Sequence, residues 1–197
     1  ATFGGRNFFY HPDDRNIFTM KNVILKDKEF RLSYPSDDIQ SDIDVLSSKI
    51  NHDLKDVHIP LFLSILNGSF MFTADLLKRI QFPCEVSFIK LASYQGTSST
   101  GTINELIGLK ENIEGRTVII VEDIVDTGHT LDKLYAELGK KNPAKILIAT
   151  LLYNPDSYKG NLEINYIGKS IPNDFIVGYG LDYDGLGRNL PNIYTLA

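Results

Sequence analysis

RTVIIVEDIVDTGHTL, residues 116–131, runs from an apolar stretch into three carboxylates, Glu122, Asp123 and Asp126, and then into a glycine turn. The run TVIIV, 117–121, is β-branched and apolar, which predicts a strand over 116–123 that ends on the first two acids. Acidic side chains at the end of such a strand are costly unless a cation or hydrogen-bond donors meet them. Beyond the turn, Leu131, Leu134, Tyr135 and Leu138 share one helical face, so a helix is expected from about 129 to 138. Gly139 and Pro143 end it.

The same order recurs on both sides. Ile39, Ile43, Leu46 and Ile50 form one stripe in SDDIQSDIDVLSSKINHDL, a helix opened by Ser36 and the acids of its first turn. HIPLFLSIL (58–66) is an almost unbroken apolar run, as in a strand covered on both faces. NGS turns the chain into the apolar-faced helix FMFTADLLKRI. CEVSFIKLASY (84–94) and KILIATLLY (145–153) read as strands, and INYIG and DFIVGYG as two shorter ones. A further short apolar segment spans 22–26. Strands alternating with helices predict an α/β fold, a parallel-sheet core with helices on both faces. In such sheets ligands sit beyond the carboxyl ends of the strands, where the three acids fall.

A chain of 197 residues suits one domain, and 43% hydrophobic with 23% charged residues supports an ordinary globular core. The net charge of −5 disfavours non-specific nucleic-acid binding. Cys84 is the only cysteine, which excludes an intrachain disulfide and a cysteine-rich metal site. No apolar run is long enough to span a bilayer, and ATFGGRNFFYHPDDRNIFTM lacks a secretory core. A cytoplasmic address is expected, with no membrane partner. Residues 1–21 are set apart as an N-terminal arm and 22–197 as the folded domain. The folded part starts near Met20, or residues 1–19 pack on a partner subunit; the sequence leaves both open.

Gly128 lets the backbone approach a ligand closely. The helix start after it offers unpaired N–H groups and a positive dipole end, which suits a phosphate. Thr127 and Thr130 add hydroxyl donors. Glu122 and Asp123 would repel a phosphate, so sugar hydroxyls or a divalent cation suit them. Together these features describe a site for a phosphorylated sugar. Asp-Thr-Gly also occurs in aspartic proteases, but here it occurs once and in a strand–helix context. No GxxxxGK[ST] is present, so a P-loop is excluded. A plain helix cap accounts for Asp126 or Thr127, but not for Glu122 and Asp123 beside the glycine turn.

Two acids, two aliphatics and then Asp-Thr-Gly-x-Thr resemble the phosphoribosyl-diphosphate (PRPP) signature of type I phosphoribosyltransferases. ILNGSFMFTADLL resembles the pyrophosphate loop of their 6-oxopurine branch, the hypoxanthine-guanine phosphoribosyltransferases. SYQGTSSTG resembles its mobile catalytic loop, and IPNDFIVGYGLDYDGLGRNLP its base-binding segment. The resemblance covers about residues 22–196. It implies the type I fold, with a small hood subdomain drawn partly from about 22–35 and 160–197. It implies transfer of the phosphoribosyl group from PRPP to N9 of hypoxanthine or guanine, with Mg2+, in purine salvage. Relatives are dimers or tetramers, so a homodimer or homotetramer is implied.

Residue by residue, the resemblance implies that Glu122 and Asp123 hold the ribose hydroxyls through or beside Mg2+. Asp126, Thr127, Gly128, His129 and Thr130 take the 5′-phosphate, His129 through its backbone N–H. Asp126 is the candidate general base near the purine N7. Leu66, Asn67 and Gly68 bind diphosphate, with a cis peptide expected at Leu66–Asn67 and Asn67 where relatives often carry lysine. Arg188 pairs with diphosphate as well. Ser93 and Tyr94 open a loop, 93 to about 104, that closes over the reacting atoms and excludes water. Phe175 stacks on the purine and Ile176 meets its edge through backbone groups. Asp182 serves the 2-position and a second Mg2+, so the metal set is Glu122, Asp123 and Asp182.

One position departs from the pattern. Asn154 stands where relatives place a lysine that donates to the purine O6. An amide donates too, but without charge. Lys159 is the nearest cation in sequence to substitute for it. The departure leaves xanthine open, whereas the 171–183 segment opposes adenine. An RNA-binding PRPP sensor on the same fold is a rival. Such regulators lack the Asp126-type acid, and this chain has no basic stripe.

Overall fold

The computed structural model describes residues 20–91, 106–107 and 109–197. The expectations for residues 1–19, Ser93 and Tyr94 lie outside them. In chain order come β1 (Asn22–Leu25), β2 (Lys28–Tyr34), α1 (Ser36–Leu54), β3 (Leu61–Leu66), α2 (Phe70–Leu77), β4 (Glu85–Leu91) and β5 (Leu106–Ile107). Then follow β6 (Thr117–Val125), α3 (His129–Gly139), β7 (Lys145–Tyr153), β8 (Tyr166–Ser170), β9 (Ile176–Val177) and β10 (Ile193–Leu196). Contacts divide the chain into two units: Gln40–Asn173, and residues up to Ile39 together with Asp174–Ala197.

The larger unit holds a six-stranded sheet in the order β5-β4-β3-β6-β7-β8. All neighbours pair parallel except β5, which is antiparallel at the edge. The long apolar runs become its central strands, and Leu61, Phe62, Leu63, Val118, Ile119, Ile120 and Val121 are fully buried. Burial of one such side chain is worth about 1.5–3 kcal/mol, so these strands anchor the unit.

Alternation along β3 shows how the sheet is covered. Leu61, Leu63 and Ile65 pack in one cluster with Leu131, Leu134 and Leu138 of α3. Ser64, pointing to the other face, bonds Thr73 of α2. Helices α2 and α3 therefore lie on opposite faces.

The smaller unit is antiparallel, in the order β1-β2-β10-β9. Val23, Leu25, Phe30, Val177, Leu190 and Tyr194 form its core. Two of its strands, β2 and β10, and the short β5 are not among the elements read from the sequence. Strand β2 buries only Phe30 and Tyr34 among exposed or half-exposed neighbours. It follows β1 through Lys26 and Asp27, with Lys26 at φ 54. A Lys-Asp turn carries none of the glycine signal of a tight hairpin.

Candidate active site

The order of the sheet locates the site. From β3 the chain places β4 on one side, then returns through β6 on the other. The strand order thus reverses between β3 and β6, and in open parallel sheets ligands sit beyond the carboxyl ends at such a reversal. The loop after β3 and the acids ending β6 face each other. A Cβ built on Gly68 would lie 1.5 Å from Asp123 Oδ2. Only a residue without a side chain lets the Asn67–Gly68 backbone come this close.

The Leu66–Asn67 peptide is cis, as expected. Behind it lies a buried hydroxyl network that sequence reading missed. Ser64 Oγ is 2.7 Å from Ser69 Oγ and 2.7 Å from Thr73 Oγ1. Ser69 Oγ donates to the Ile65 carbonyl at 2.5 Å, and the Thr73 N–H donates to the Ser69 carbonyl at 2.8 Å. These bonds lock the 66–69 loop to both β3 and α2. The signal was present: a serine inside LFLSIL must find a partner once buried.

Glu122 and Asp123 are half-buried at the end of β6. Burial first, and then the neighbouring Asp123 carboxylate, push the Glu122 carboxyl well above the usual carboxylate range. A cation or sugar hydroxyls placed here would relieve this repulsion. The sign of the pH effect follows. A raised folded-state value means that ionised Glu122 opposes folding. The penalty is absent below the unfolded value near 4.3, grows with pH towards the folded value, and is complete above it. Glu122→Gln is expected to raise the melting temperature of the ligand-free chain at pH 7–8 by about 2–4 °C, roughly 1 kcal/mol. The gain vanishes near pH 4; a pH series of thermal melts checks this, and an equal gain at both ends would refute it.

Past β6, Asp126, Thr127, His129 and Thr130 are exposed and Gly128 is buried. Gly128 is the N-cap of α3 at φ 84, so no side chain competes for the first-turn N–H groups. The segment after β7 braces this loop from behind. The Asn154 N–H donates to the Val125 carbonyl at 3.0 Å, and the Lys159 N–H to the Thr127 carbonyl at 3.1 Å. The Tyr158 ring lies under Gly128, its hydroxyl donating to the Leu162 carbonyl at 3.0 Å. Nothing in NPDSYKG announced this brace.

Asn154 itself is buried. Its amide bonds Asp126, Ser157 and Asn173. Lys159 Nζ reaches only the Asp156 carbonyl among the bonds found, at 3.4 Å.

The smaller unit carries the other expected positions. Phe175 is 49% exposed, although its ring stands 6.1 Å from Phe30 and 5.9 Å, edge-on, from Tyr183. A half-exposed ring on a packed aromatic base has surface left over for stacking. Ile176 is half-buried in β9 opposite Thr195. Asp182 and Arg188 are paired to each other at 2.5 Å. Asp182 also accepts the Gly185 N–H, and Arg188 donates to the Gly180 carbonyl. Each therefore meets a ligand only by sharing or exchanging that ion pair.

Among the described residues no group of three His, Cys, Asp or Glu forms a metal cage. The pair Glu122 and Asp123 still fits Mg2+, which is held by one or two carboxylates with waters and substrate phosphates completing its shell. Among the described residues no helix is long and apolar enough to cross a membrane.

A parallel sheet with an acidic pair and a glycine-opened helix at its switch point defines a class, and the comparisons agree. The chain belongs to the phosphoribosyl transferase domain family, whose model matches residues 35–184. Relatives within that family include hypoxanthine-guanine and hypoxanthine phosphoribosyltransferases. It is 40% identical over 180 residues to the hypoxanthine-guanine phosphoribosyltransferase of Mycobacterium tuberculosis, covering 90% of this chain and 86% of that protein. It is 42% identical over 178 residues to that of Staphylococcus epidermidis, covering 90% and 94%. A Trypanosoma cruzi hypoxanthine phosphoribosyltransferase, solved as a ternary substrates complex, superposes with a TM-score of 0.78 at 36% identity, covering 84% of this chain and 94% of that one.

Proposed function

We propose that the chain is a purine-salvage enzyme that transfers the 5-phosphoribosyl group from PRPP to N9 of hypoxanthine or guanine, releasing diphosphate. The observation that carries the proposal is the meeting of Gly68 with Asp123 across the β3–β6 switch point, just upstream of the uncapped start of α3. Amides of Asn67 and Gly68 take the diphosphate on one side, with Arg188 adding charge. On the other, the amides of 127–130 and the hydroxyls of Thr127 and Thr130 take the 5′-phosphate. Glu122 and Asp123, between the two, hold the ribose hydroxyls. Phe175 stacks on the purine, Ile176 meets its edge, and Asp126 accepts or positions the proton as N9 attacks. Ser93 and Tyr94 belong to the loop that covers the reaction. Glu122 and Asp123, with Asp182 as a further ligand, would hold Mg2+, which would supply positive charge against that of the diphosphate. The chain's own contribution is positioning and fixed dipoles. It works in the cytoplasm as a homodimer or homotetramer.

The test is one assay: PRPP with hypoxanthine, guanine, xanthine or adenine, following nucleotide formation with and without Mg2+. IMP and GMP should form only with the metal. No nucleotide from hypoxanthine or guanine would overturn the proposal.

A further inference from the structure

We infer that Asn154 is a positioning residue that aims the Asp126 carboxylate, and that it is not the group that reads the purine's 6-oxygen. The inference rests on the reading of Asp126 as the proton acceptor. Asn154 is 2% exposed and follows β7 directly. Its backbone is tied at both ends, the N–H to the Val125 carbonyl and the carbonyl to the Tyr158 N–H. Its amide nitrogen is 3.1 Å from Asp126 Oδ1, 2.9 Å from Ser157 Oγ and 3.1 Å from Asn173 Oδ1. Its amide oxygen accepts the Ser157 N–H at 3.2 Å.

Chemistry fixes the orientation of the amide. The Ser157 N–H can only donate and the Asp126 carboxylate can only accept, so a flipped amide would lose both bonds. Two amide protons face three oxygens, which leaves no proton for a purine carbonyl. The bond to Asp126 spans 28 residues of sequence, and Asp126 is otherwise an exposed loop side chain. An exposed carboxylate samples several rotamers; one held by a buried amide is directed. A neutral donor does this without cancelling the negative charge that a proton acceptor needs.

Asn154→Asp and Asn154→Ser test the inference in the full chain. Both keep an oxygen to accept the Ser157 N–H. The aspartate sets an acceptor against Asp126, and the serine is too short to reach it. The serine variant also guards against misfolding from two facing carboxylates. Steady-state kcat and KM are measured with hypoxanthine and guanine, alone and on an Asp126→Asn background.

The expected result is a kcat about tenfold or more lower for both bases alike, with the KM for PRPP within about threefold of the parent. On the Asp126→Asn background either change costs nothing further, because the residue it aims is already lost. A rise in KM confined to the bases, or new use of adenine, would assign Asn154 to base reading and overturn the inference. So would unchanged kinetics with a lower melting temperature, or a full additional loss on the Asp126→Asn background. An unmodified chain that makes no nucleotide from any base would instead sink the proposed function, and this inference with it.

Discussion

Gly68→Ala is expected to leave the chain folded but to lower kcat/KM for PRPP by roughly 100-fold or more, the scale associated with displacing a reacting group by about 1 Å. The added methyl carbon would sit 1.5 Å from Asp123 Oδ2 and 2.4 Å from its Cγ. No rotamer of alanine relieves this overlap, because the Cβ position is set by the backbone alone. Either the Asp123 side chain leaves its place, or the β3 loop retreats from the end of β6. Asp123 Oδ1 accepts the Ile124 N–H at 3.0 Å, so moving the carboxylate breaks that bond too. The loop is held from behind by Ser64, Ser69 and Thr73, so much of the displacement falls on Asp123. Overpacking of this kind costs about 1–3 kcal/mol, or roughly 2–4 °C of melting temperature per kcal/mol in a chain of this size. A double substitution isolates the cause. On an Asp123→Gly background the overlapping atoms are gone, and adding Gly68→Ala should cost little further stability. An unchanged penalty there would mean that some other contact of Gly68 is responsible.

The parts of this arrangement legible in the sequence share a physical property: each is specified within a few neighbouring residues. The central strands show as apolar runs because parallel strands are buried on both faces. Helix α1 shows as a stripe because its buried face recurs at helical spacing; Ile39, Ile43 and Ile50 are all fully buried. Glu122, Asp123 and Gly128 show because an acidic pair and a glycine at a strand end serve little purpose in packing. What stayed hidden depends on distant residues. Strands β2 and β10 pair with each other across most of the chain, from Phe30–Leu196 to Tyr34–Ile193. Strand β2 buries one face only and β10 is four residues long, so neither stands out as a run. Asp182 and Arg188 lie close in sequence, but the segment between them has no regular period, so no local pattern marks their pairing. Asn154 stands out in the sequence as a departure from a family pattern, but its bonds to Asp126 and Asn173 join residues 28 and 19 positions away.

Gly128→Ala should raise the KM for PRPP by about 10- to 100-fold and lower the melting temperature. Two independent penalties act at this position. The backbone sits at φ 84, a left-handed conformation that costs a residue with a Cβ about 1–2 kcal/mol. The new Cβ would also lie 2.5 Å from Tyr158 Cε2 and 3.0 Å from its Cδ2. That ring cannot swing away freely. Its hydroxyl bonds the Leu162 carbonyl, and its edge packs on Tyr153 with ring centres 5.6 Å apart. The strain is therefore released by the 126–130 turn, which carries the N–H groups proposed for the 5′-phosphate. Tyr158→Ala separates the two penalties. Combined with Gly128→Ala it removes the ring overlap but not the backbone cost, so the double variant should regain part of the lost PRPP affinity relative to the Tyr158→Ala parent, and never all of it. Full recovery would show that the left-handed backbone contributes nothing. An unaltered KM in the Gly128→Ala single variant would mean that the phosphate binds away from this turn.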